Sequence, residues 1–134
     1  MTIESGHMKN KPTILIVEDE PMTAKLLAYY LKQHGAVTIT ANPREAVASY
    51  MVNPTDIVFI DVNYTYEDKD GFDILQSLLF ADDDAFAVMF SSDNNKALIS
   101  KAEELGAQGF ITKPISAADF AYYIDKFNQK ILPA

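Results

Sequence analysis

The sequence predicts an α/β fold in which five parallel strands alternate with five helices. Five short apolar runs, rich in β-branched and aromatic residues, are separated by longer segments whose apolar residues recur at helical spacing. The runs are almost continuously apolar, which is typical of strands buried on both faces of a parallel sheet. This alternation favours a single (βα)5 unit. The predicted strands are Thr13–Val17, Ala36–Thr40, Asp56–Ile60, Ala85–Phe90 and Gly109–Thr112.

Signals at the helix ends support this assignment. The first helix is predicted from Pro21 to His34, with Gly35 as its C-terminal cap. The second opens with Asn42-Pro43-Arg44-Glu45, which supplies an N-cap, a first-turn proline and a capping-box glutamate. The third helix is predicted to follow Gly71. The fourth is predicted from Asn95 to Leu105, ending at Gly106. The fifth is predicted to begin at the Ser116–Asp119 capping box and to end near Ile131.

Composition limits the class of protein further. The chain has 134 residues, 49% of them apolar and 22% charged, which is enough for one domain with its own core. A net charge of −8 opposes contact with phosphate backbones, so we expect no direct nucleic-acid binding. No run approaches the ~20 apolar residues of a membrane span, so we expect no membrane insertion. The absence of cysteine excludes disulfides and cysteine nucleophiles, and it fits a reducing, cytoplasmic compartment.

The chain is expected to divide into a short tail and one domain. Residues 1–10 are predicted to be a cloning remnant and flexible lead-in, because Gly6-His7-Met8 is typical of what tag removal leaves behind. Residues 11–134 are predicted to form a single domain without repeats or linkers. Little sequence follows the last predicted helix, so a protein acting alone and a fragment of a longer one both fit the pattern.

Polar residues follow four of the five predicted strands. They are Glu18-Asp19-Glu20, Asp61, Ser91-Ser92-Asp93 and Lys113-Pro114. Open α/β sheets bind ligands at the carboxyl ends of their strands, near the point where the strand order reverses. For the strand order 2-1-3-4-5, the first and third strands are neighbours about 4.8 Å apart. The carboxylates of Asp19 and Asp61 would then be adjacent, with Glu18 beside them.

Adjacent carboxylates repel one another unless a cation joins them. Mg²⁺ suits such a site, because it binds one or two carboxylates together with water and phosphate oxygens. The lysine and the serine at neighbouring strand ends would complete a pocket for a phosphoryl group. Each feature alone also fits a structural role, as a helix-dipole partner, an N-cap or a turn. Their coincidence at one edge of the sheet favours a binding site.

From Lys11 to Ile131 the chain resembles the receiver domain of two-component response regulators, which has a flavodoxin-like fold. Asp61 and Ser91 are 30 positions apart, and Ser91 and Lys113 are 22 apart, both as is usual in that family. The resemblance implies a five-stranded parallel sheet of order 2-1-3-4-5 with helices on both faces. The matching segments are Ile14–Pro21, Asp56–Asp61, Met89–Ser92 and Gly109–Pro114.

The resemblance implies a phosphoacceptor site. Asp61 would attack a phosphohistidine and form an acyl phosphate. Asp19, Asp61 and the backbone carbonyl of Asn63 would hold Mg²⁺, with Glu18 in support. Lys113 would pair first with Asp61 and then with the phosphoryl oxygens. The chain would thereby catalyse its own phosphorylation and its own dephosphorylation, without being a conventional enzyme.

The resemblance also implies a switch. Ser91 would be the hydroxyl that follows the phosphoryl group, Phe110 the aromatic side chain that turns inward with it, and Pro114 the residue after a cis peptide bond. Small polar residues at Asn63 and Asp93, which would flank the path of the hydrolytic water, predict rapid self-dephosphorylation.

The implied partners are proteins. The phosphoryl donor would be a sensor histidine kinase or a histidine phosphotransfer protein. A homodimer or a target protein would use the surface made by the fourth helix, the fifth strand and the fifth helix. Tyr122 and Tyr123, in the fifth predicted helix, are candidates for an exposed partner surface.

One segment departs from the family pattern. Gly71 stands ten positions after Asp61 where eight is usual, and a usual proline is missing from the loop between them. The longer loop, with Tyr64 and Tyr66, would alter kinase docking or act as a lid, or it is tolerated variation.

Two alternatives to a phosphoacceptor receiver make different demands on the sequence. A pseudo-receiver would act as a phosphorylation-independent interaction module, and failure to bind Mg²⁺ or beryllofluoride would favour it. Other phosphate-binding α/β proteins fit poorly: a haloacid-dehalogenase-type phosphatase needs Asp-x-Asp, whereas Asp19 is followed two residues later by Pro21. A flavodoxin phosphate loop, a dinucleotide-binding fingerprint and a P-loop are all missing from the sequence.

Overall fold

Five parallel strands form one sheet in the order β2-β1-β3-β4-β5, so the predicted fold class and strand order are confirmed. The computed structural model describes residues 11–41, 43–63, 70–93 and 95–130. The strands are β1 (Thr13–Val17), β2 (Ala36–Thr40), β3 (Ile57–Asp61), β4 (Phe86–Ser91) and β5 (Gly109–Thr112). The helices are α1 (Pro21–Leu31), α2 (Pro43–Val52), α3 (Gly71–Ala81), α4 (Lys96–Leu105) and α5 (Ala117–Lys130).

The core has two layers, one on each face of the sheet. Helices α1 and α5 cover one face, where Phe59 of β3 packs edge-on against Phe120 with ring centroids 5.4 Å apart. Helices α2, α3 and α4 cover the other face, around Val58 and Leu75. Every residue of the central strands β3 and β4 is buried, as their continuous apolar sequence predicts.

The prediction that α1 ends at His34 with Gly35 as its cap is wrong. The helix ends at Leu31, whose carbonyl accepts the His34 N–H in a single tight turn. Gly35 has a different role, since a Cβ there would lie 1.7 Å from the carbonyl oxygen of Pro12. By contrast, Gly106 does cap α4, in the left-handed conformation with φ of 106°.

Strands β3 and β4 begin and end one residue later than predicted. Asp56 precedes β3, and its carboxylate accepts the Thr13 N–H at 2.9 Å. Asp61 and Ser91 are therefore the last residues of their strands rather than the first residues of loops. Because both backbones are held by the sheet, both side chains start from fixed positions.

Capping residues set where two helices begin. Asp70 and Asp73 form a reciprocal capping box at the start of α3, which the sequence analysis did not identify. Ser116 and Asp119 form the predicted box before α5. Other expectations lie outside the described residues: the Asn42 cap, the end of α5 at Ile131, the remnant at residues 1–10 and the longer loop at residues 64–69.

Helix α5 caps the free edge of the sheet at β5. The Tyr123 hydroxyl accepts the Phe110 N–H at 3.2 Å and donates to the Phe110 carbonyl at 3.4 Å, as a neighbouring strand would do. Its ring lies over Gly109, where a Cβ would approach ring atoms to 2.0 Å. Tyr122 is exposed, as expected for a partner surface, whereas Tyr123 is half-buried by these contacts.

Among the described helices, none is long and apolar enough to cross a bilayer.

Candidate functional site

Three strand ends, those of β1, β3 and β5, bring acidic and basic side chains together at one edge of the sheet. Carboxylate oxygens of Glu18, Asp19 and Asp61 all lie within 4.8 Å of one another. The Lys113 Nζ, just after β5, is 3.8 Å from Glu18 Oε1 and 3.8 Å from Asp61 Oδ2. The cluster arises because parallel strands present their carboxyl ends at the same edge, and β1 and β3 are adjacent.

Asp61 is buried and held from two sides. One carboxylate oxygen, Oδ1, accepts the backbone N–H of Asn63 at 3.0 Å, and the other, Oδ2, faces Lys113. The lysine ammonium also lies 5.3 Å from the ring centre of Phe90, next to Asp61 across the β3–β4 ladder. Asp61 therefore presents a carboxylate of fixed orientation beside a cation, with only 4% of its surface exposed.

Glu18 carries the strongest electrostatic signal in the cluster. It is 2% exposed, and burial, together with the nearby charge of Asp61, raises its pKa to about 7 despite the opposing Glu20 N–H and Lys113. Its Oε2 accepts the Glu20 N–H at 3.1 Å, whereas the buried Oε1 has no hydrogen-bond partner. An unsatisfied buried carboxylate oxygen beside two more carboxylates fits a divalent cation with oxygen ligands.

The Glu18→Gln variant is expected to change how folding stability depends on pH in metal-free protein. Folded Glu18 keeps its proton up to about pH 7, whereas the unfolded side chain ionises near pH 4.5. The stability linked to this residue is thus fully present below pH 4.5 and is lost as the pH rises through 7. The loss should be on the order of 2 kcal/mol, and glutamine should abolish it.

Urea unfolding in EDTA at several pH values between 5 and 8 measures this slope. The exposed Glu103, on α4, provides the control variant Glu103→Gln, which should retain the slope of the unaltered protein. Equal slopes in the two variants would show that Glu18 is not the group that titrates.

Ser91 is the last residue of β4, and its buried hydroxyl both donates and accepts a hydrogen bond. Its oxygen accepts the Asp93 N–H at 3.1 Å, and its proton is donated to the side-chain oxygen of Asn63 at 2.9 Å. Sequence reasoning assigned Asn63 a metal-binding backbone carbonyl and a place beside the path of the hydrolytic water, and it missed this contact with Ser91. A polar residue two positions after Asp61 is the signal that could have suggested it.

The remaining predicted residues lie around this pocket. Phe110, on β5, is half-buried against the α2-α3-α4 side of the core and is hydrogen-bonded through its backbone to Tyr123. The peptide bond between Lys113 and Pro114 is cis. Asp19 is exposed at the rim of the acidic cluster. The charged residues and Ser91 thus lie at the carboxyl ends of the strands, whereas Phe110 lies within β5, two residues before its end.

A second acidic group, after α3, differs from this cluster. Asp82, Asp83 and Asp84 also bring carboxylates within 4.8 Å, but they lie beyond the C-terminal end of α3 and are mostly exposed. The Tyr50 hydroxyl donates to Asp82 at 2.6 Å. These contacts fit a structural role in a solvent-exposed loop.

Fold and site together define a doubly wound α/β domain with an acidic, lysine-containing pocket at its topological switch point. The family profile described as "Response regulator receiver domain" matches residues 14–125. The chain belongs to this family, the receiver domains of two-component response regulators.

Named relatives agree with this assignment. The chain is 30% identical over 121 residues to the sensory transduction protein LytT of Enterococcus faecalis, covering 88% of this chain and 48% of LytT. It is 26% identical over 118 residues to the chemotaxis protein CheY of Thermotoga maritima, covering 87% of this chain and 97% of CheY. It therefore spans about half of LytT and nearly all of CheY.

Solved structures share the fold. The receiver domain of the Francisella response regulator 1452 superposes with a TM-score of 0.81 at 18% identity, covering 90% of this chain and 99% of that one. At that identity the likeness concerns the fold alone.

Proposed function

We propose that this domain takes a phosphoryl group from phosphohistidine onto Asp61 with the help of Mg²⁺, and that this modification switches partner binding. One observation carries the proposal above all: Glu18, Asp19, Asp61 and Lys113 converge, and a buried oxygen of Glu18 lacks a hydrogen-bond donor. That oxygen lies 3.8 Å from the Lys113 Nζ, which is beyond hydrogen-bonding distance, so a bound cation or a water on that cation would supply the partner it lacks.

The donor set defines where the ion would bind. Asp19, Asp61 and the backbone carbonyl of Asn63 would hold Mg²⁺, and Glu18 would support them. When bound, Mg²⁺ neutralises charge on the phosphoryl oxygens and relieves the repulsion among the carboxylates. Lys113 supplies a second positive charge, 3.8 Å from the oxygen Oδ2 of Asp61.

The transfer needs positioning more than covalent machinery. The nitrogen–phosphorus bond of the donor breaks, the imidazole keeps the electron pair, and a carboxylate oxygen of Asp61 bonds to phosphorus. Lys113 is close enough to the Asp61 carboxylate to follow the charge onto the phosphoryl oxygens. The Ser91 hydroxyl would donate to one of those oxygens after transfer. Asn63 and Asp93, both small and polar, would leave a path for water and allow rapid dephosphorylation.

Apolar side chains next to the pocket favour a protein as the donor. Met22, Leu26 and Tyr29 form an exposed stripe on α1, at 70%, 51% and 64% exposure. An apolar groove of about 180 Å³ runs from Leu26 to Lys113 and Ile115. A sensor histidine kinase or histidine phosphotransfer protein would bury this surface as its phosphohistidine approaches Asp61.

The surface formed by α4, β5 and α5 is a candidate output surface. A groove of about 460 Å³ lies between α4 and α5 over β5, and Phe110 and Tyr123 line it. A rotation of Phe110 after phosphorylation would reshape this groove. A second copy of the chain or a target protein would read that change through α4, β5 and α5.

Acetyl phosphate tests the phosphoacceptor role. With Mg²⁺, the intact protein should gain the mass of one phosphoryl group, and EDTA should prevent the gain. Borohydride reduction should then convert residue 61 to homoserine, which peptide mass spectrometry detects. If the protein neither gains mass nor binds Mg²⁺ with beryllofluoride, it is a pseudo-receiver that binds partners without phosphorylation.

A further inference from the structure

We infer that the side chain of Asn63 is a resting-state clasp for the Ser91 hydroxyl and sets how readily the domain switches. The inference rests on the proposed function, because it assigns a second role beside the same phosphoacceptor. In this role the Asn63 side chain would be a positioning group, which acts on the reaction through Ser91, apart from the metal-binding role of its backbone carbonyl.

The clasp follows from the hydrogen bonds that the Ser91 hydroxyl can make. A serine hydroxyl has a single proton, and the Ser91 proton is donated to Asn63 Oδ1 at 2.9 Å. The serine oxygen is also occupied, since it accepts the Asp93 N–H at 3.1 Å. Because Ser91 is fully buried, its hydroxyl depends on protein partners, and the Asn63 amide is the acceptor it has.

The backbone of Asn63 holds this acceptor in place. Its N–H donates to Asp61 Oδ1 at 3.0 Å, which ties the position of residue 63 to the phosphoacceptor itself. One residue therefore contacts the phosphoacceptor through its backbone and the switch hydroxyl through its side chain. Asn63 is exposed, so its side chain has room to rotate away from Ser91.

The Ser91 hydroxyl has two possible acceptors for its one proton, the Asn63 side chain at rest and a phosphoryl oxygen after transfer. The hydroxyl cannot donate to Asn63 and to a phosphoryl oxygen on Asp61 at the same time. Switching therefore requires that the clasp break, and a contact made only in the resting state opposes the phosphorylated state by its own free energy. Removing the acceptor should favour the phosphorylated conformation without adding any new contact to it.

Beryllofluoride binding at saturating Mg²⁺ measures this bias by calorimetry. Asn63→Ala keeps the backbone carbonyl and N–H but removes the acceptor, and it should tighten beryllofluoride binding about three- to tenfold. Mg²⁺ binding is measured separately for each variant, so that beryllofluoride affinities are compared at equal metal occupancy. In a Ser91→Ala background, Asn63→Ala should have no further effect on beryllofluoride. The exposed Asn53 and Ser92 provide matched controls, as Asn53→Ala and Ser92→Ala.

A second measurement needs neither metal nor phosphoryl analogue. In EDTA, Asn63→Ala, Ser91→Ala and the double variant should lower the urea midpoint, and the two single losses should not add. Additive losses, or weaker beryllofluoride binding in Asn63→Ala, would overturn the clasp. If the unaltered protein binds no beryllofluoride, the phosphoacceptor proposal fails by itself, and the metal-free cycle still decides whether the clasp exists.

Discussion

Asp61→Asn is expected to abolish labelling by acetyl phosphate in the presence of Mg²⁺. The amide nitrogen of asparagine has no free electron pair for attack on phosphorus, and the amide removes one of the three charges of the acidic cluster. The substitution is close in shape, and the amide oxygen can still accept the Asn63 N–H. We therefore expect a folded protein that gains no phosphoryl mass.

The second acidic group supplies the control for this result. Asp83, exposed in the loop after α3, lies in a carboxylate cluster of similar spacing but away from Lys113. Asp83→Asn makes the same chemical change and should be labelled like the unaltered protein. Persistent labelling of a folded Asp61→Asn protein would remove Asp61 from the phosphoacceptor role.

The sequence could predict the site because strand ends in a parallel sheet meet at one edge. Asp61 and Lys113 are far apart in the chain, yet the order of β1, β3, β4 and β5 makes their convergence a matter of topology. Once the apolar runs are recognised as strands, the residue after each one is placed without knowledge of any side-chain contact. The relative positions of the charged residues and Ser91 follow from that placement, whereas the roles of Asn63, Phe110 and Pro114 come from the family resemblance alone.

Contacts between side chains could not be predicted in the same way. The Ser91–Asn63 hydrogen bond depends on rotamers and on a turn whose geometry the sequence does not specify. The raised pKa of Glu18 depends on how completely the neighbouring elements exclude water from a residue beside the exposed Asp19. Glu18 and Asp19 are adjacent in the chain, and only the packed structure distinguishes them.

The prediction that Gly35 caps a helix was wrong for a related reason. Gly35 has the sequence signature of a helix cap, but its lack of a Cβ serves the close approach of the Pro12 carbonyl. Whether a glycine caps a helix depends on the residues next to it in the chain. Whether another backbone segment packs closely against it depends on residues that are distant in the sequence. Local sequence can therefore identify Gly106 and cannot identify the reason for Gly35.

Gly71→Ala is expected to be the most destabilising of the substitutions considered, by about 3 kcal/mol or more. A Cβ on this first residue of α3 would lie 2.1 Å from the Asp61 carbonyl oxygen and 2.8 Å from the Val62 Cα. Both are backbone atoms of the chain that leaves β3, so no side-chain rotation relieves the clash. Relief requires α3 to move away from the strand end, which also breaks the Gly71 N–H bond to the Val62 carbonyl.

Gly106→Ala separates this clash from the general effect of replacing glycine. At Gly106 a Cβ would meet only the end of the Leu79 side chain at 3.0 Å, so the expected loss is the strain of its positive φ, about 1 kcal/mol. Urea midpoints should rank Gly71→Ala well below Gly106→Ala, and phosphoryl labelling should fall only in the former. Since the clash is with Asp61 itself, equal midpoints would mean that the start of α3 can shift without moving Asp61. In that case the rigid placement of Asp61 would have to come from the sheet alone.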